Sequence, residues 1–174
     1  MRISRKTLPQ SRKSLKSKNT EPASPEHAYL YAIRLLTGRD YTVAKVRQKL
    51  AGREVAEEDA DAVIRRLQRE GWLDDGRYAI RFAESALSSG RYYGSRLRME
   101  MRRRGFSPEV VAETVAGLLT GTDEVAEARS AAARRYPDFS FATASDRDKQ
   151  RVIGFLQRRG FGFSAIMSAL RSDE

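Results

Sequence analysis

The sequence predicts an all-α fold, an elongated and curved tandem of three three-helix repeats. The first observation behind this is a unit that occurs three times. Lys45–Leu67 (KVRQKLAGREVAEEDADAVIRRL) aligns without a gap on Arg96–Leu118 (RLRMEMRRRGFSPEVVAETVAGL) and on Arg151–Leu170 (RVIGFLQRRGFGFSAIMSAL). The apolar columns are Val46, Leu97 and Val152; Leu50, Met101 and Leu156; Val55, Phe106 and Phe161; Ile64, Val115 and Leu170. A spacing of roughly fifty residues between equivalent positions marks a stacked repeat architecture. The second observation is that apolar residues recur at helical spacing, with no segment alternating as a strand does. The third is that helix caps and stops fall between the periodic segments.

Residues 1–25 combine Ser, Lys and Arg with Pro9, Pro22 and Pro25, and their few apolar residues show no period. A disordered basic tail is expected there. The first repeat, 26–73, opens with a helix around His27–Leu36, with Tyr29, Ile33 and Leu36 on one face. Thr42 starts a short helix carrying Val43, Val46 and Leu50. A longer one, about Glu57–Glu70, spaces Ala60, Val63, Ile64 and Leu67 for burial. Gly71 suits the C′ position that stops it, and Trp72 stands where a Schellman end takes its apolar contact.

The second repeat, 74–121, begins at Asp74-Asp75, an N-cap and acidic first turn. Its first helix is expected to bury Tyr78, Phe82 and Ala86 before Ser88-Ser89-Gly90 breaks it. The next runs from about Ser95 to Arg104 and stops at Gly105. Ser107-Pro108-Glu109 supplies N-cap, N1 proline and acidic first turn together. The third repeat, 122–174, has a helix near Asp123–Arg135, then the irregular YPDFSFATAS. Ser145 and Asp148 resemble a capping box for a helix ending at Gly160. A short last helix holds Ile166, Met167 and Leu170.

Composition narrows the function. The net charge is +10, from 33 basic and 23 acidic residues, and implies a polyanionic partner or one that carries nucleic acid. Six of the ten net charges lie in the tail, where Arg2, Arg5, Lys6, Arg12, Lys13, Lys16 and Lys18 face only Glu21. With no cysteine, disulfides and thiolate metal sites are excluded. No apolar run approaches the length of a membrane span, and the basic start lacks a signal peptide's apolar segment. The cytoplasm and a monomer are expected, with no membrane partner.

Little points to catalysis. His27 is the only histidine, and no phosphate loop, GxSxG or HExxH occurs. No cofactor or metal is expected. Asp74 and Asp75 could form an acid/base or metal dyad, but a helix start favours capping. Stacked repeats instead work as extended binding surfaces. The candidate surface is Arg91-Tyr92-Tyr93-Gly94 leading into Arg96, Arg98, Arg102 and Arg103. Arginine offers phosphate a planar fork, and tyrosine can stack on a base or pack under the next helix. Helical steps place Arg96 and Arg103 on the outer face, with Arg98 and Arg102 at its flanks. Lys45, Arg96 and Arg151 are equivalent and outward-facing, and would form a spaced line of charge. Arg53, Arg104 and Arg159 share a core-edge column, where a structural role is expected: stems over apolar surface, heads on the last carbonyls.

Three stretches, AYLYAIRLLTGRDYTVAKVRQKL, LQREGWLDDGRYAIRFAES and GRYYGSRLRMEMRRRGFSPEVV, resemble the RecX family of bacterial regulators of the RecA recombinase. The likeness covers about Glu26 to Arg171. It implies a tandem of three-helix repeats that binds the RecA nucleoprotein filament along its groove. It further implies reduced ATP hydrolysis, strand exchange and filament extension, in recombination, DNA repair and the SOS response. Binding to single- and double-stranded DNA is implied as well. By the same resemblance, Arg91, Arg96, Arg98 and Tyr92-Tyr93 match the family's basic segment. A sequence-independent DNA-binding protein competing for strand remains the main alternative. A helix-turn-helix transcription factor and an adaptor for acidic proteins are further ones.

Overall fold

The molecule, described as a computed structural model, is resolved over residues 24–171. The tail expected over 1–25 lies outside these except for Ser24 and Pro25, which already start a helix. Ser24 accepts the His27 N–H and Pro25 stands at N1, a cap-and-proline start that places the first helix two residues earlier than apolar spacing alone. Nine helices follow among the described residues and no strand. They are α1 (Pro25–Gly38), α2 (Val43–Ala51), α3 (Glu57–Arg69), α4 (Asp75–Ser88), α5 (Gly94–Arg103), α6 (Pro108–Leu119), α7 (Glu124–Arg135), α8 (Asp146–Arg159) and α9 (Phe163–Arg171). The cap residues read from the sequence close them: Thr42, Asp74, Ser107, Asp123 and Ser145 each accept a first-turn N–H.

Packing divides the helices into α1–α3, α4–α6 and α7–α9, each around its own core. All twelve residues of the four apolar columns are buried, so the threefold sequence pattern is a threefold pattern of burial. Each triplet withdraws several large side chains such as Leu50, Met101 and Leu156 from water, and such residues contribute about 1.5–3 kcal/mol apiece.

Apart from Ala86, which is buried as expected, the first helix of each triplet differs from expectation. Its buried positions are alanines: Ala28 and Ala32 in α1, Ala79, Ala83 and Ala86 in α4, Ala128, Ala131 and Ala132 in α7. The expected residues Tyr29, Ile33, Leu36, Tyr78 and Phe82 are only partly buried and flank these seams. Alanine lets the first and third helices approach closely, and the larger rings then close the sides. Trp72 also departs. Gly71 (φ 75°) and Trp72 donate to Gln68 and Leu67 carbonyls as a Schellman end requires, yet the indole is 46% exposed and Leu73 takes the buried place.

The middle helices meet head to tail. Thr42, N-cap of α2, accepts the Lys45 N–H and donates its hydroxyl to the Arg104 carbonyl at the end of α5, 2.9 Å away. One unit further, the Tyr93 N–H at the start of α5 donates to the Arg159 carbonyl at the end of α8 (2.7 Å), and Ser95 Oγ donates to the Gly160 carbonyl. The carbonyl end of one helix thus abuts the amide end of another at both joints, a favourable alignment of helix dipoles. Asp75 reinforces the first joint by accepting the Val43 N–H at 2.9 Å. Burial pushes its carboxyl up, opposed by that hydrogen bond and aided by Asp74.

Gly105 (φ 90°) and Gly160 (φ 104°) form the contact surfaces of these joints. A Cβ on Gly105 would stand 2.9 Å from Thr42 Oγ1 and 3.3 Å from Ala44 Cβ. The equivalent first-unit residue is Glu54, the one non-glycine residue with positive φ (60°) among those described. Among the described residues no other unit packs on it, so a side chain fits and only the backbone strain remains. Glu54→Gly should therefore raise stability by about 0.5–1 kcal/mol. Urea titration measures this, and a lower midpoint would mean that the Glu54 side chain holds something in place.

Candidate functional site

Along the exposed side of α5 run Ser95, Arg98, Met99 and Arg102, spaced at successive helical turns. Leu97 and Met101 are wholly buried on the opposite side. Arg98 and Arg102 are exposed and make no ion pair among the described residues, and Met99, 42% exposed, lies between them. Two cations beside a pliant apolar side chain can receive phosphate oxygens or carboxylates together with an apolar contact.

The other α5 arginines are engaged within the molecule. Glu100, buried at 8%, receives Arg96 at 2.7 Å and Arg103 at 3.2 Å. Arg96 does not face outward as its helical position alone suggests. Its Cβ lies against Gly160, its side chain is only 37% exposed, and its Nε is buried. The reason is the joint, where the end of α8 covers the first turn of α5.

Lys45 has the same situation at the first joint. It is half-buried, its Cγ stands near Gly105, and its Nζ donates to Gln48 at 3.0 Å. Arg151, which no other helix end covers among the described residues, is exposed, with its guanidinium 5.8 Å from the Tyr136 ring centre. The equivalent positions Lys45, Arg96 and Arg151 therefore do not make a uniform line of free charge. Two of the three are built into joints.

The two tyrosines part company. Tyr93 is 8% exposed, stacks on Phe161 (centroids 4.5 Å, 17°) and shares a hydrogen bond with Thr122 at 3.2 Å. It is a plug in the third core and offers no ring to a base. Tyr92 is half-buried against Phe82, with Arg91 and Arg96 each about 6 Å from its ring centre. Arg91 is exposed and also donates to Ser89 Oγ.

Arg53, Arg104 and Arg159 keep their common column, but their heads rest on rings instead of carbonyls. The three guanidiniums lie 4.2, 4.3 and 4.4 Å from the ring centres of Tyr31, Phe82 and Phe155. Each gains a cation–π contact as well as covering apolar surface. Asp74 caps α4 through the Arg77 N–H and Asp75 caps α2, so neither is left for acid/base work. Among the described residues no His, Cys, Asp and Glu group could hold a metal ion, and no helix is long and apolar enough to cross a membrane. Thr42 and Ser95 were read from the sequence as helix starts only, and not as contacts between units. A Ser/Thr at the start of each middle-helix segment, with glycine recurring in the column of 105 and 160, is the signal that marks both joints.

The fold has counterparts. The sequence model of the first three-helix domain of RecX matches residues 28–67, and that of the third matches 122–170. The regulatory protein RecX of Trichlorobacter lovleyi is 44% identical over 137 residues, covering 79% of this chain and 89% of the relative. The chain belongs to the RecX family. RecX of Thermus thermophilus is 37% identical over 145 residues, covering 83% and 90%. The crystal structure of RecX from Lactobacillus salivarius superposes with a TM-score of 0.69 at 20% identity, over 84% of this chain and 94% of that one, a likeness of fold. Regulation is accordingly the general role of this chain.

Proposed function

We propose that this member of the RecX family binds the RecA nucleoprotein filament and restrains its ATP hydrolysis, strand exchange and extension, in recombination and the SOS response. The observation that carries this reading is the Arg98–Met99–Arg102 stripe, exposed and unpaired among the described residues on the middle helix of the middle unit. Three separately cored units give a surface long enough to touch several filament subunits, and modest contacts then add through multivalency. Binding one filament state better than another suffices to inhibit, so no catalytic residue is required. The protein acts as a monomer in the cytoplasm. A second reading, competition for DNA, draws on the six net charges of the tail, which suit naked strands through counterion release.

ATP hydrolysis by RecA on circular single-stranded DNA tests the two. Added well below one copy per recombinase subunit, the protein should already suppress hydrolysis. Inhibition that appears only when it is abundant enough to coat the DNA would replace the filament reading with competition for strand.

A further inference from the structure

A cavity of about 300 Å³ lies between the second and third units, lined by Ser88, Gly90, Tyr92, Glu127, Arg134 and Phe161 among others. Two guanidinium groups converge at its edge. Arg159 Nη1 and Arg134 Nη2 both come within 3.5 Å of the point where a Cβ would stand on Gly90. Gly90 has φ 61° and no side chain, so both guanidinium groups pack against the turn between α4 and α5 where a Cβ would otherwise stand. Arg135 brings a third positive charge. Burial first, then the charges of Arg134 and Arg135, pull the Arg159 guanidinium below its usual range.

Among the described residues no carboxylate is paired with these charges, and the ring of Phe155 is the one group set against Arg159. Arg134 donates Nη1 to the neutral hydroxyl of Ser130 at 2.9 Å. Neither Arg134 nor Arg159 makes an ion pair among the described residues, and Glu127 in the cavity lining pairs with neither. On α5 the opposite holds, since Arg96 and Arg103 converge on the buried Glu100. Where cations converge without a carboxylate, an external anion is the group that relieves their repulsion, and paired guanidiniums suit phosphate oxygens.

We propose that Arg134, Arg159 and the Ser88–Gly90 turn form an anion site that takes a backbone phosphate of a single nucleic-acid strand. The half-buried Tyr92 ring in the same lining stands where an adjoining base can rest on it. The site asks only for a phosphate, so it goes beyond the filament reading and stands whether or not a recombinase is bound.

The test uses the full chain and its Arg134→Gln and Arg134→Lys variants. Arg134 is exposed, bonds only to the Ser130 hydroxyl and lies beside the Gly90 turn, so both variants should fold. Inorganic phosphate should raise the Tm of the parent above that in sodium chloride of equal ionic strength. The gain should vanish in Arg134→Gln and return in Arg134→Lys. Affinity for a short oligothymidylate, read by fluorescence anisotropy, should fall roughly fivefold in Arg134→Gln, with a salt slope shallower by about 0.7. An equal phosphate response in parent and Arg134→Gln would overturn the site. A phosphate response lost in Arg134→Gln with unchanged oligothymidylate binding would overturn the strand as its occupant and leave free phosphate.

Discussion

Gly160→Ala should destabilise the protein by about 3 kcal/mol or more and part the third unit from the second. The left-handed backbone at this position costs a residue with a Cβ about 1–2 kcal/mol, and overpacking a filled contact adds about 1–3. The added atom would stand 2.6 Å from Arg96 Cβ, 2.7 Å from Arg96 N and closer still to the Tyr93 carbonyl. Two of these are backbone atoms that cannot swing aside. Relief requires the end of α8 to retreat from α5, which breaks the Tyr93 N–H to Arg159 carbonyl bond. Urea unfolding should then show the third unit melting ahead of the rest. Gly105→Ala meets only the side chains of Thr42, Ala44 and Lys45 and should cost less. A single, unshifted transition for Gly160→Ala would mean that the joint does not hold the units together.

Reversing both free charges, Arg98→Glu with Arg102→Glu, should leave Tm within a degree or two and weaken filament inhibition about ten- to a hundredfold. Each side chain is exposed and unpaired among the described residues, so the fold loses nothing by the change. A polyanionic partner instead meets repulsion at two adjacent positions, and charge reversal at a contact is costly. Arg96→Glu is the informative contrast. It would set a second carboxylate beside the buried Glu100 inside the joint and should lower Tm instead. Titrating the inhibition of RecA ATP hydrolysis with each variant separates the two. If the double variant inhibits as well as the parent, the α5 stripe is not the docking surface.

Much of the fold was legible in the chain. The apolar columns from Val46 to Leu170 predicted burial at every position, because each reports packing inside a single helix triplet, where short-range periodicity applies. The caps at Thr42, Asp74, Ser107 and Ser145 were legible for the same reason, since each bond spans three residues. The alanine seams were not, because aromatic residues beside them carry the stronger hydrophobic signal while the smaller side chains permit the closest approach. The site was harder. Arg96 points outward when only its own helix is considered, and the residue that covers it, Gly160, is distant in sequence. The hydroxyl contacts that make the joints, Thr42 to Arg104 and Ser95 to Gly160, span 62 and 65 residues. Local patterns carry no trace of such pairings. Tyr93 was ambiguous in the same way, and only the third core decides that its ring is a plug.

The two joints differ in what closes them. The first relies on polar contacts, the Thr42 hydroxyl and the Asp75 carboxylate. The second adds an aromatic ring seated in the neighbouring core and stacked on Phe161. A hydrogen bond tolerates small changes of angle, whereas a seated ring must be withdrawn before the units can turn. The compliance of the molecule is therefore unequal along its length. Against a long partner whose repeat distance stretches or shortens, the second and third units keep a fixed gauge and the first supplies the slack.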